Sequence, residues 1–384
     1  MNKQNQLTEI HHSGKPYIIY KSKKGFNLFT NFSKKIILNN KNIKSFLGKK
    51  HKSKIKDTDL FIGFFGYQLL NNLINIKVPK QKSINFPKGI FYKPEKTLNL
   101  SNNLNYKSEK VFKNCKFKIN INKDSYTKIF NKFKKKIKSG ETYQIKICTK
   151  YKIKSEINPL DFFSRLSKTN LAPEAFMIRD KNYSIISCSP ENLITKKGSN
   201  ISTKPIAGTV KKTKSLNKMK ALKYFKKNIK ETKEHNMIVD MERNDLSKIC
   251  KVGSVKLYKQ KIIEEYKDLF HYVSLIRGKL KKDVKNIDII KAMMPGGSVI
   301  GCPKISTLNL LNKQEKENRN IYTGSFGYIK FNGDMRFNII IRSILNFKKF
   351  SEISVASGVV VDSNANHEFN ENYIKAKALI DLFK

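Results

Sequence analysis

Tryptophan is absent, cysteine is sparse, and lysine has nearly displaced arginine: 7 Arg stand against 71 Lys in 384 residues. Acid is also scarce, 30 Asp and Glu in all, so the formal net charge is +48. The five cysteines (Cys115, Cys148, Cys188, Cys250, Cys302) are odd in number and scattered, with no C-x-x-C pair. That argues against a zinc site or a disulfide framework and for reduced thiols in a cytoplasmic setting. No apolar run reaches the length of a membrane span, and MNKQNQLTEIHHSGK lacks the apolar segment of a signal peptide. No membrane partner is expected. The shortage of Arg also counts against a nucleic-acid surface, which draws on guanidinium for bidentate contacts. Lysine is spread along the chain instead of forming a stripe, so the excess reads as codon bias and no nucleic-acid partner is expected. Against this background each remaining Arg is expected to have a geometric task.

What is present is a globular composition, 39% apolar and 11% aromatic, in a chain long enough to bury a large core. PYIIY and KKIIL read as short strands, and LFIGFFGYQLLNNLINI (60–76) as a strand leading into a helix. Residues 77–110 are polar and read as irregular surface. KDSYTKIFNKFKKKIKSGE has helical spacing ending at Gly140, and YQIKICTKYKI alternates like a strand. A basic helical stretch follows KPIAGTV, several β-rich segments come after it, and NHEFNENYIKAKALIDLF closes the chain as a helix. Strands and helices interleave without a strict βαβ rhythm, which predicts a large α+β fold with antiparallel sheets. A domain break would fall near residue 115.

Four features could carry chemistry. PGGSVIGCPK (295–304) could present backbone N–H groups to an anion with Lys304 adding charge, or could be a tight turn before a helix with Pro303 in its first turn. It is not a Walker loop, because Cys-Pro follows Gly301. In ETKEHNMIVDMERND, Glu231 and Glu234 are three apart and share a helix face; Glu368 and Glu371 repeat the arrangement, with Lys375 one turn on. Two such pairs could converge on one Mg²⁺, or could be solvated faces paired with lysine. His271 sits in the apolar segment DLFHYVSLIRG, where a lone histidine is more often a satisfied core residue than a catalyst. Arg342 interrupts the apolar strand FNIIIRSI, a costly place for a charge unless an anion or a structural partner pairs with it.

In order, the segments GETYQIKICTKY, SCSPENLITKK, KPIAGTV, KETKEHNMIVDMERNDLSKIC, DLFHYVSLIRGKL, MMPGGSVIGCPK, YTGSFGYIKFNGDMRFNIIIRSI and ASGVVVDSNANHEFNENYIKAKAL resemble the chorismate-utilising enzymes, the family of anthranilate synthase component I and aminodeoxychorismate synthase component I. The resemblance covers about residues 118–384, and FIGFFGYQL is similar to that family's N-terminal glycine/aromatic segment. It implies an anthranilate-synthase-type fold, with layered antiparallel β-sheets flanked by helices, a short N-terminal region (1–115) and a chorismate-binding catalytic domain (116–384). It implies Mg²⁺ held by Glu234 and Glu371, with Glu231 and Glu368 in support. It further implies that Arg342, Tyr328, Lys375 and backbone near Gly358 and Gly301 hold the anionic groups of chorismate. Glu191 would be the general acid that protonates the departing hydroxyl, and His271 would lie beside the reacting ring.

Relatives that add water carry a Lys base where this chain has Gln144, so the resemblance implies ammonia as nucleophile. A separate glutamine amidotransferase subunit would deliver it. Ala207 in PIAGT matches anthranilate synthases, whereas many aminodeoxychorismate synthases carry a nucleophilic Lys there. PGGS, the absence of LLES and HHSGKPYIIY favour the aminodeoxychorismate branch, which serves para-aminobenzoate and folate synthesis; the other branch serves tryptophan synthesis. Asp240, Glu242 and Asp245, with Arg243, are expected to fix the helix end and the turn after it. Two other classes remain: a scaffold with a degenerate site, and a basic nucleic-acid binder.

Overall fold

The computed structural model describes residues 3–53, 56–108, 116–170, 172–213, 215–265 and 269–384, apart from the side chains of Ala207, Thr209, Lys211 and Lys230. The fold is α+β: a curled antiparallel sheet with helices packed on it. At one edge, Lys256–Glu265 pairs with Leu269–Lys279, and the ladder continues through Asn200–Lys204, Asn192–Lys197, Met335–Asn338 and Ser325–Lys330. It then passes through Leu60–Phe65, Gly89–Leu100 and Phe26–Ile37 to Tyr17–Lys21, which turns the sheet. From there it returns through Glu174–Arg179, Tyr183–Ser189, Ser343–Phe347 and Phe350–Val359 to Gln144–Lys154.

The two arms face each other across an apolar layer. Ile18, Phe64, Phe176, Ile185, Phe326 and Ile340 belong to one buried cluster there. Phe176 from one arm stacks on Phe326 from the other, with centroids 3.7 Å apart. Strands from before residue 109 pair with strands from after residue 116: Tyr17–Lys21 with Glu174–Arg179, and Leu60–Phe65 with Ser325–Lys330. The expected boundary near 115 lies outside the described residues.

The helix Lys123–Lys138 and the strand Gln144–Lys154 form where periodicity placed them. The reading of 77–110 as irregular is corrected, because Gly89–Leu100 is a 12-residue strand. Its second half exposes Lys, Glu and Asn, and only its first half is a continuous buried run. Half-solvated pairing against Phe26–Ile37 gives it a polar sequence. The glycine-rich segment is followed by the helix Lys304–Gln314, with Pro303 as its N-cap. Cys148, Cys188, Cys250 and Cys302 are free thiols, and Cys115 lies outside the described residues. Among the described residues no helix is long and apolar enough to cross a membrane.

Candidate active site

Helix Ile229–Ile249 begins where the Asn228 side chain accepts a hydrogen bond from the Glu231 amide at 3.2 Å. The cap fixes Glu231 in the first turn and Glu234 one turn later on the same face. Helix Ala365–Ile380 starts alike, with the Asn364 side chain accepting from the Asn366 and His367 amides at 3.0 and 3.2 Å. Glu368 and Glu371 follow at the same spacing, and Lys375 one turn further on lies 2.6 Å from Glu371. All four glutamates line one cavity of about 810 Å³, together with Glu191, Arg342, Gly358 and Lys375.

The strand Gln144–Lys154 supplies the part of the wall beneath Glu234. Alternation puts Gln144 and Lys146 on one face, and both donate to Glu234 Oε1, at 2.7 and 2.8 Å. Gly358, opposite Lys146 on the neighbouring strand, makes the room. A Cβ there would stand 2.7 Å from Lys146 Nζ and 2.9 Å from Gln144 Nε2. Burial disfavours charge on Glu234, but the Lys146 ammonium outweighs it and holds the carboxyl at about 2. Reciprocally, burial works to lower the pKa of Lys146, and the Glu234 carboxylate turns the balance so that it is raised.

Glu191 is in the opposite state. It is 5% exposed, and burial pushes its pKa up to about 7 against the smaller pulls of the Ser298 hydroxyl and Lys146. Behind it, buried Glu242 accepts a hydrogen bond from Thr203 Oγ1 at 2.5 Å. Burial, and then the nearby charge of Glu191, push the Glu242 pKa well above the ordinary carboxyl value. The helix-end role expected for Asp240, Glu242 and Asp245 is therefore corrected. The helix runs on to Ile249, and Glu242 and Asp245 point inward to Thr203 and Lys304. Asp240 is exposed and pairs with Arg243 at 3.3 Å.

Arg342 does not lie within a strand as the apolar pattern suggested. The chain leaves one strand at Asn338 and enters the next at Ser343, with Arg342 at φ 49° between them. A non-glycine residue held in this region costs free energy, and here it aims the guanidinium into the cavity. Burial lowers the Arg342 pKa, and among the described residues no carboxylate forms an ion pair with it.

The remaining expected residues are placed less uniformly. His271 is buried on Leu269–Lys279, where its strand pairs with Ile206–Lys211, and it is not among the residues that line the cavity. Burial and then the Arg342 charge lower its pKa to about 4, so it is neutral at pH 7. Gly301 does not line the cavity. It pairs with Ile145, so close to the neighbouring strand that a Cβ would sit 2.0 Å from the Gln144 carbonyl oxygen; Ser298 and Val299 reach the cavity instead. Tyr328 is a correction: Ser325–Lys330 carries it to a separate cavity beside Tyr20 and Arg336. Tyr322, before that strand begins, lines the acidic cavity instead. Ala207 belongs to the strand Ile206–Lys211, but its side chain lies outside the described residues.

The lining residues that were missed include Lys146, His367 and Tyr322. Lys146 could have been found from strand alternation, two positions after Gln144. His367 adjoins Glu368, and ligand atoms of His367, Glu368 and Glu371 all lie within 4.8 Å of one another. Tyr322 carried no signal that set it apart from Tyr328. The donor set, mostly carboxylate oxygen with one imidazole, suits a hard cation such as Mg²⁺.

Residues 6–381 match the family model described as chorismate binding enzyme. The chain belongs to that family. Aminodeoxychorismate synthase component 1 of Bacillus subtilis (strain 168) is 35% identical over 257 residues, covering 67% of this chain and 55% of that protein. An anthranilate synthase component I-like protein of Synechocystis is 30% identical over 347 residues, covering 83% of this chain and 72% of that protein. The alignments thus span between about half and three quarters of these chorismate-binding relatives. Anthranilate synthase component I of Streptococcus pneumoniae shares the fold, with a TM-score of 0.76, 24% identity, and coverage of 96% of this chain and 90% of that one. The menaquinone-specific isochorismate synthase of Escherichia coli shares it too, with a TM-score of 0.77, 15% identity, and coverage of 96% and 89%.

Proposed function

We propose that this chain adds ammonia to chorismate, as component I of an aminodeoxychorismate synthase that draws the ammonia from a glutamine amidotransferase subunit. The observation that carries the reading is Arg342, a half-buried guanidinium lining a cavity with no carboxylate paired to it among the described residues. Burying such a charge is expensive unless an anion arrives to meet it, and a dicarboxylate substrate is that anion.

The four glutamates of the same cavity would take the second carboxylate through a cation. Glu234 and Glu371 would hold Mg²⁺, supported by Glu231 and Glu368, and the metal would neutralise the ring carboxylate. Glu191, with its pKa near 7, keeps a protonated fraction at neutral pH and can give that proton to the leaving hydroxyl, which departs as water. Gln144 is a neutral amide whose nitrogen donates to Glu234. It cannot deprotonate water, which favours ammonia, a nucleophile with its own lone pair, over the water addition catalysed by isochorismate synthases. Buried His271 is neutral and adds no charge to compete with substrate.

Ala207 favours a second reading. The covalent route of aminodeoxychorismate synthases that carry Lys in PIKGT is closed to Ala, and anthranilate formation needs no such lysine. Incubation with chorismate, Mg²⁺ and ammonium, followed by product identification, decides between them. 4-Amino-4-deoxychorismate supports the first reading and anthranilate with pyruvate the second; isochorismate or unchanged chorismate overturns both.

A further inference from the structure

The acidic wall already contains cations of its own. Glu371 is held by Lys375 at 2.6 Å, and Glu234 by Lys146 at 2.8 Å. Lys146 has no part in the chemistry argued above. It is one of the more shielded lysines of the chain, with 11% of its side chain exposed, and it lines the cavity from the floor strand. Its position is built by its neighbours. Gly358 leaves open the space that its ammonium crosses, and Arg319 Nη2 donates to the Lys146 carbonyl oxygen at 3.0 Å. Arg319 is itself buried and anchored on Glu315.

We infer that Lys146 is the resident counter-ion of the carboxylate cluster, and that a divalent cation binds Glu234 only by displacing the Lys146 ammonium. The inference rests on the proposed reading of Glu234 and Glu371 as cation ligands. A carboxylate oxygen that coordinates Mg²⁺ holds it at about 2.1 Å. The same Glu234 Oε1 now accepts from both Lys146 and Gln144. An ammonium and a metal cation on one oxygen repel each other, and in a shielded cavity that repulsion is weakly screened. The neutral Gln144 amide can stay near the oxygen; the ammonium has to leave it. Displaced, Lys146 still faces the cavity, where an anionic substrate gives it a new partner. Metal and substrate would then bind cooperatively, because each relieves the charge that the other leaves uncompensated.

The test is direct measurement of Mn²⁺ and Mg²⁺ binding to metal-stripped protein, by electron paramagnetic resonance and calorimetry, in wild type, Lys146→Met and Lys146→Gln. Both variants are expected to bind the cation about tenfold or more tightly than wild type. Without metal they should melt below wild type, and saturating Mg²⁺ should raise their melting temperature by more than it raises that of wild type. Lys146→Gln keeps a donor toward Glu234 and guards against misfolding of the methionine variant. A merely structural lysine would give equal or weaker cation binding in folded variants, and that result overturns the inference while leaving the metal reading intact. Absence of binding in wild type and variants alike overturns both.

Discussion

Lys304 Nζ lies 2.5 Å from Asp245 Oδ2, and both side chains are almost fully buried. The pair ties helix Ile229–Ile249, which carries Glu231 and Glu234, to the helix that follows the glycine-rich segment. Lys304 also donates to the Ala292 carbonyl oxygen at 3.1 Å. The lysine that could have served an anion in a glycine-rich loop is thus committed to holding two helices together. Removing one partner of a buried pair strands the other charge, so Asp245→Ala should cost about 3–5 kcal/mol of stability in urea unfolding at pH 7. Asp245→Asn keeps a hydrogen-bond acceptor and should cost less. A loss below about 1 kcal/mol for the alanine variant would mean that water reaches Lys304.

Arg342 should behave in the opposite way. Its guanidinium is half-buried and partly desolvated without a carboxylate partner among the described residues, so Arg342→Met relieves a desolvation penalty. The expected outcome is an unchanged or higher melting temperature together with a loss of about 100-fold or more in kcat/KM, since an anion left without its buried partner costs several kcal/mol. Arg342→Lys should recover only part of the activity, because an ammonium cannot offer the guanidinium's paired donors. A destabilised Arg342→Met protein would point to a structural role.

The pairing of acids was legible because helix geometry converts a spacing of three into a shared face, and an Asn cap fixes where each helix starts. Spacing could not show that the two faces meet; that depends on how the sheet curls. Nor could it show the partners that decide protonation, such as Lys146 beside Glu234 or Thr203 beside Glu242. The strand Gly89–Leu100 was missed because half of it faces solvent, and its polar residues imitate a loop. Arg342 was read as a charge inside an apolar strand, and the break at φ 49° that places it between two strands was invisible in an apolar run.

The exchange of Tyr328 for Tyr322 gives a paired test. Tyr322 lines the acidic cavity, whereas Tyr328 lies against Tyr20 and Arg336 in another one. Tyr322→Phe should lower kcat/KM by about tenfold if its hydroxyl meets substrate, the ordinary worth of one hydrogen bond to a charged group. Tyr328→Phe should leave kcat and KM within about twofold, as expected for a substitution outside the site. The reverse pattern would return Tyr328 to the site.

Glu191 links catalysis and stability with opposite signs. Its pKa is about 7 in the folded protein against an ordinary 4.5, because burial disfavours the carboxylate. Between those values the folded state binds more protons at this residue than the unfolded chain does, so its contribution to stability falls as pH rises. Above pH 7 the penalty levels off at roughly 3 kcal/mol. Glu191→Gln cannot ionise and escapes it. The variant should be more stable than wild type at pH 8, with the difference shrinking toward pH 4.5, as read from unfolding curves across that range. Its turnover of chorismate should be lost, because the amide has no proton to give at a useful pKa. Wild-type kcat should decline as pH rises through about 7, where the acid form disappears. A kcat independent of pH from 6 to 8, or a Glu191→Gln variant that keeps its activity, would remove Glu191 from the role of general acid.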